Sequence, residues 1–210
     1  MANLLLISGG SHPYHETTPV LKAFLEKEGH TVTLTDAAEE LSGGPARYDA
    51  IVLNTLRQPA SGNELPDAKR TALKSLVRGG MGLVSVHISA ASCPDWPEMK
   101  KITGGGWVLG QSWHPPFGWF EVTISKPKHP VTKGVSDFWT FDECYCGLDI
   151  QPGIDVFMHG VVEGEVKPLG WSHKYGKGKV ANIALGHAGS SQQHPMFQRL
   201  VLNAAEFVTA

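Results

Sequence analysis

The first half of the chain alternates short apolar runs with amphipathic stretches. Asn3–Ser8 is a run of Leu and Ile ended by Gly9, Gly10 and Ser11, which reads as a buried strand. Thr18-Pro19 then reads as a cap residue with Pro at the first helical position. Val20, Leu21, Phe24 and Leu25 share one helical face up to Gly29. Further strands are predicted at His30–Thr35, Asp49–Asn54 and Gly82–Val86, with a helix over Asn63–Arg78 whose stripe is Ala72, Leu73, Leu76 and Val77. This alternation predicts an α/β fold with a mainly parallel central sheet and helices on both faces. Ligands in such folds gather at the carboxyl ends of the strands, which puts the Gly9–Glu16 loop and the residues after Val86 on one rim.

Beyond Ser89 the pattern loosens. Trp96–Thr103 reads as a short helix, and Gly104–Gly118 as a long loop carrying three consecutive glycines, two tryptophans and a histidine. Strands are expected at Trp119–Ser125, Phe138–Cys144 and Ile154–Val162, then a hairpin from Gly170–His173 to Val180–Leu185. Pro195 opens a last helix with Phe197, Leu200, Val201, Ala204 and Val208 inward. No repeat or linker interrupts the chain, so one domain over residues 1–210 is expected.

Composition narrows the function. Lys plus Arg number 18 against 20 Asp plus Glu, so there is no basic excess with which to neutralise a nucleic acid backbone. The first apolar run, Leu4–Ile7, lacks the charged start and length of a secretory signal, and no stretch is long enough to span a membrane. Cys93, Cys144 and Cys146 make an odd set with two members too close to bridge, and none has a basic neighbour to make it a thiolate. A cytoplasmic protein with a small-molecule ligand is expected, and self-association is left open.

Ten histidines carry the candidate chemistry. His12 and His15 follow the first strand, His87 the fourth, and His187 the Val180–Leu185 strand, so a parallel sheet gathers them, with His114 in the Trp-rich loop above. Neutral imidazoles beside a carboxylate suit either a borderline metal such as zinc or proton transfer near neutral pH. The carboxylates on offer are Asp142 and Glu143, and Glu16 beside His15. His87, His114 and His187 are the candidate metal ligands. Other histidines have plainer readings: His30, His159 and His173 as strand residues, His129 in a turn, His194 as a helix cap. Trp107, Trp119, Trp139 and Trp171 are expected in the core, and Trp113 equally as core or as a ligand contact. Gly82–Ala90 has the layout of a nucleophile elbow, but His87 stands at the elbow and no G-x-S-x-G is present; Ser89 reads better as a helix cap than as a nucleophile.

These segments, in order, resemble the ThuA-like, trehalose-utilisation family. They are Ser8–Glu16, Val86-His87, Gly104–Trp107 with His114-Pro115, His129–Gly134 leading to Asp142–Tyr145, Tyr175–Val180 running to Leu185–His187, and His194–Phe197. The resemblance implies a flavodoxin-like three-layer sandwich of class I glutamine amidotransferase type, and a link to sugar metabolism. It carries interest to His12, His15, His87, His114, Asp142, Glu143, Tyr145 and His187. Amidotransferases of this class use Cys at the elbow, so His87 argues against glutamine hydrolysis. The expectation is an enzyme acting on a sugar or oxidised sugar, with His87, Asp142, Glu143 and His187 catalytic, and His12, His15, Trp113, His114 and Tyr145 around the ligand. The alternative is a non-catalytic carbohydrate-binding protein using the same pocket.

Overall fold

The computed structural model describes residues 1–36, 38, 40–41 and 47–210. Its strands are β1 (Asn3–Gly10), β2 (Thr31–Thr35), β3 (Ala50–Leu56), β4 (Gly82–Val86), β5 (Gly105–Gly106), β6 (Gly118–Ile124), β7 (Phe138–Asp142), β8 (Asp149–Ile150), β9 (Asp155–Val162), β10 (Glu165–Tyr175) and β11 (Gly178–Ile183). The helices are α1 (Tyr14–Lys27), α2 (Asp67–Gly79), α3 (Glu98–Thr103), α4 (Gly189–Gln192) and α5 (Pro195–Thr209). Nine strands form one sheet in the order β2-β1-β3-β4-β11-β10-β9-β6-β7, and β5 pairs with β8.

The sheet has two characters. From β2 through β11 the pairs are parallel. Their strands are continuous apolar runs because both faces are covered. Leu4, Leu6, Val52, Val84 and Val86 pack on the α1 and α5 side. The alternate residues Leu5, Ile7, Ile51, Leu53 and Leu83 pack with Leu73 and Val77 of α2 and Met99 and Ile102 of α3. That alternation makes the three layers. Beyond β11 the pairs turn antiparallel through β10, β9, β6 and β7. There one face is buried and the other open. Phe120, Val122 and Phe138 point inward, whereas Trp119 and Trp139 are 67% and 58% exposed. The expectation of Trp119 and Trp139 in the core is thus corrected by strand alternation. Trp171 is a core residue, and its indole donates to the Thr103 carbonyl at 2.9 Å.

Two helix starts differ from the sequence expectation. α1 begins at Tyr14 rather than at Pro19, because the Pro13 carbonyl already receives the Glu16 and Thr17 amides. Pro19 sits inside the helix, where its missing N–H forfeits one bond near the start. α2 starts at Asp67, not Asn63. Pro66 drives Leu65 out of helical geometry, and Asn63 instead clamps the loop, accepting from the Gln58 amide and donating to the Leu56 carbonyl. His194 caps α5 through the Met196 amide, and His129 caps the Pro130–Thr132 turn through Val131, as their His-Pro context suggested. Among the described residues no helix is long and apolar enough to cross a membrane.

Candidate functional site at the carboxyl rim of the sheet

Four chain segments converge on one rim. β1 leads into His12, β4 into His87, β11 into His187, and β7 ends at Asp142 beside Glu143 and Tyr145. The route to His12 requires Gly10, since a Cβ there would lie 2.1 Å from the Leu56 carbonyl oxygen. His87 occupies a sharp elbow: β4 is extended at Val86, and His87 then has φ 53° before the short 3-10 turn His87–Ala91. A left-handed β4 terminus held by a non-glycine residue is strained, and the strain aims the imidazole across the rim.

The side chains meet around Glu143. Its Oε2 is 3.1 Å from His187 Nδ1 and 3.5 Å from His87 Nε2, and its Oε1 is 3.5 Å from His114 Nε2. His187 Nδ1 is 3.2 Å from His87 Nε2, and the Tyr145 hydroxyl lies 2.5 Å from the same Nε2. The His12 ring stands 5.3 and 5.2 Å from the rings of His87 and His187. His87, Glu143 and Tyr145 are buried, while His12, His114 and His187 are half-buried, so the cluster opens on one side.

Burial pushes the His87 pKa well down, helped by His12 and His187, so the ring is neutral and accepts from Tyr145. Burial pushes the Tyr145 hydroxyl well up, which keeps it protonated. For Glu143 burial acts upward, but the His187 hydrogen bond and the surrounding imidazoles outweigh it and hold the carboxylate below its usual range. The same hydrogen bond raises His187. Burial lowers His12, whose Nδ1 lies 2.7 Å from the Ser11 carbonyl.

Asp142 lies beneath this layer with its oxygens already used. Oδ2 accepts from Gly186 at 2.6 Å, and Oδ1 accepts from His187 at 3.0 Å and Glu143 at 2.9 Å, all backbone amides. Burial nevertheless pushes its pKa up to about 6 against those donors. Its role is to set the main chain that carries His187 and Glu143.

His15 is not drawn into the cluster. Because α1 starts early, His15 sits in its first turn with an 81% exposed side chain beside Glu16. Trp113 is 44% exposed and pairs through its backbone with Cys146. The aromatic residues that do touch the cluster are Trp107, 4.8 Å from the Tyr145 ring and 5.9 Å from His114, and Phe117, 5.3 Å from His187. Trp107 was expected in the core but is half-buried, and Phe117 was not singled out from sequence; the available signal was their place in the glycine-rich loop with His114. Behind Trp107 lies a cavity of about 460 Å³ lined by Trp96, Met99, Trp107 and Leu109. Ser89 is fully buried, donating to the Leu53 carbonyl and accepting from the Thr55 amide. It ties the turn after β4 to β3 rather than capping a helix. The three cysteines are free, buried and raised in pKa by burial.

Three solved structures share this architecture. A protein described as ThuA-like from Parabacteroides merdae is 21% identical over 99% of this chain and 89% of its own, with a TM-score of 0.84. A cytoplasmic protein from Salmonella typhimurium is 16% identical over 98% and 99%, with a TM-score of 0.73. A glutamine amidotransferase from Thermotoga maritima is 11% identical over 99% and 97%, with a TM-score of 0.59. At these identities the likeness speaks for the fold, the glutamine amidotransferase-like, flavodoxin-type sandwich. A comparison with curated proteins gives no match. The model of the ThuA family, described as trehalose utilisation, matches residues 3–208, and the chain belongs to that family.

Proposed function

We propose that the chain is an enzyme of carbohydrate utilisation that acts on a sugar or keto-sugar at the His–Glu cluster. The observation that carries this reading is the triangle of His187 Nδ1, Glu143 Oε2 and His87 Nε2, with edges of 3.1, 3.2 and 3.5 Å. The family description supplies the substrate class.

Hydrolysis, elimination and isomerisation beside a carbonyl share two demands: a charged oxygen must be stabilised and a proton must move. The triangle sets the Glu143 carboxylate beside the His187 imidazole, whose protonated form that carboxylate favours, on the open side of the cluster, where a carbonyl or hydroxyl oxygen would sit. Tyr145 flanks it as a protonated hydroxyl able to donate to a developing alkoxide. His114 flanks the other carboxylate oxygen, with its side chain 33% exposed to solvent. Trp107 and Phe117 offer aromatic faces to the apolar face of a sugar ring. At the elbow His87 replaces the nucleophile that glutamine hydrolysis would use.

The test is incubation of the purified protein with free sugars, glycosides and their keto derivatives, followed by NMR for both binding and product. Product from a sugar or keto-sugar is the expected result. Saturable binding without product between pH 5 and 9 would assign the non-catalytic, carbohydrate-binding role instead.

A further inference from the structure

We propose that the cluster is a mononuclear site for a divalent first-row transition cation of the zinc type, held by His12, His87, Glu143 and His187. One donor atom from each of these residues lies within 4.8 Å of every other. The inference deepens the function proposed above by naming the cation at its reactive cluster, yet it stands on coordination geometry and its test needs no substrate.

Zinc binds imidazole nitrogen at about 2.0–2.1 Å and carboxylate oxygen at about 2.0–2.2 Å, so neighbouring donors on a tetrahedron stand roughly 3.4 Å apart. The His187–Glu143, His187–His87 and His87–Glu143 contacts are 3.1, 3.2 and 3.5 Å. Three donors from three different chain segments therefore already form one triangular face of such a polyhedron. His12 is the fourth donor, from a fourth segment. Two imidazoles with one carboxylate on a face is a ligand set for zinc and for other borderline divalent ions, whereas magnesium and calcium prefer oxygen donors.

The surroundings fix which atoms face inward. His12 Nδ1 is 2.7 Å from the Ser11 carbonyl, which holds the proton there and leaves Nε2 bare. His87 Nδ1 is buried on the Ala184 side of the ring without a close hydrogen bond, and Nε2 points into the triangle. Asp142 fixes the His187 main chain, and His114 lies 3.5 Å from the outer oxygen of Glu143. These are outer supports of the kind that orient ligands. Tyr145 shares the His87 Nε2 lone pair, so a bound cation frees its hydroxyl to meet substrate.

The purified full chain is stripped with a chelator and titrated by calorimetry with Zn²⁺, Co²⁺ and, as a control, Mg²⁺. One equivalent of Zn²⁺ and of Co²⁺ should bind, with a visible Co²⁺ spectrum of low-symmetry coordination, a raised Tm and no comparable binding of Mg²⁺. His187→Gln and Glu143→Gln should each weaken Zn²⁺ binding by 100-fold or more, and His12→Gln by at least 10-fold. His15→Gln should leave it unchanged. His87→Gln is read only if circular dichroism shows it folded, and the His187 and Glu143 variants decide the matter without it. Absence of stoichiometric Zn²⁺ and Co²⁺ binding, or affinity unchanged in folded His187→Gln and Glu143→Gln, overturns the proposal. Metal binding without turnover would defeat the enzymatic reading alone, and turnover by a protein that binds no stoichiometric Zn²⁺ or Co²⁺ would defeat this inference alone.

Discussion

Asp142 aims His187 through the main chain rather than through its side chain. Its carboxylate receives the Gly186 and His187 amides at 2.6 and 3.0 Å, and the His187 ring then meets Glu143 at 3.1 Å. Asp142→Asn keeps the shape but sets an NH₂ group against backbone donors. Stability should fall by about 1–3 kcal/mol, the cost of leaving buried donors unsatisfied. Turnover should fall at least 10-fold because His187 is no longer aimed. Denaturant titration and kinetics on the same samples check both effects, and wild-type stability in the variant would remove Asp142 from this role.

The elbow makes a separate prediction. His87 holds φ 53°, which costs a non-glycine residue roughly 1–2 kcal/mol. His87→Gly and His87→Ala both delete the ring, but only glycine accepts that backbone angle freely. His87→Gly should therefore be the more stable of the pair by about 1 kcal/mol in chemical denaturation. Equal stability would mean that the elbow relaxes once the imidazole is gone.

Tyr145→Phe removes the hydroxyl 2.5 Å from His87 Nε2 and little else. A proton donor of this kind contributes on the order of 10²–10⁴ in rate. The variant should retain the wild-type fold and a similar KM while kcat falls about 100-fold. Unchanged kcat would place Tyr145 in the wall of the site only.

How much of this arrangement could be read in the sequence follows from the two halves of the sheet. His12, His87 and His187 each follow a parallel strand of the covered half, where apolar runs fix the strands and topology fixes the rim. Glu143 comes from β7 at the far end of the antiparallel half. That half's strands were legible as runs, but their pairing depends on long-range contacts that no local pattern records. His15 was misplaced because Thr18-Pro19 imitates a helix start, whereas the Pro13 carbonyl nucleates α1 a turn earlier. Asp142 read as an acid beside another acid. Its backbone partners, 44 and 45 residues away, leave no trace in local sequence.

The junction of β10 and α3 offers a pH test clear of the cluster. The Tyr175 hydroxyl donates to Glu98, joining β10 to α3. That bond, then Lys101 and Lys74 nearby, outweighs partial burial and holds the Glu98 carboxyl below its usual range, while burial and Glu98 push Tyr175 up to about 12. A carboxylate depressed on folding stabilises the protein above its unfolded pKa, and loses that contribution as the pH falls through the folded value. Tyr175→Phe should cost about 1 kcal/mol at pH 7. The gap from wild type should narrow by pH 3, and urea titrations at the two pH values check it. A gap that widens in acid would contradict the assignment.

The central claim is that the Glu143-centred cluster does chemistry on a sugar. Its most direct measurement is kcat/KM for Glu143→Gln beside wild type on whichever sugar or keto-sugar the wild-type protein converts, with circular dichroism to show that both are folded. A loss of at least 100-fold is expected in the variant, since the triangle loses its negative corner. Wild-type turnover by folded Glu143→Gln would contradict it.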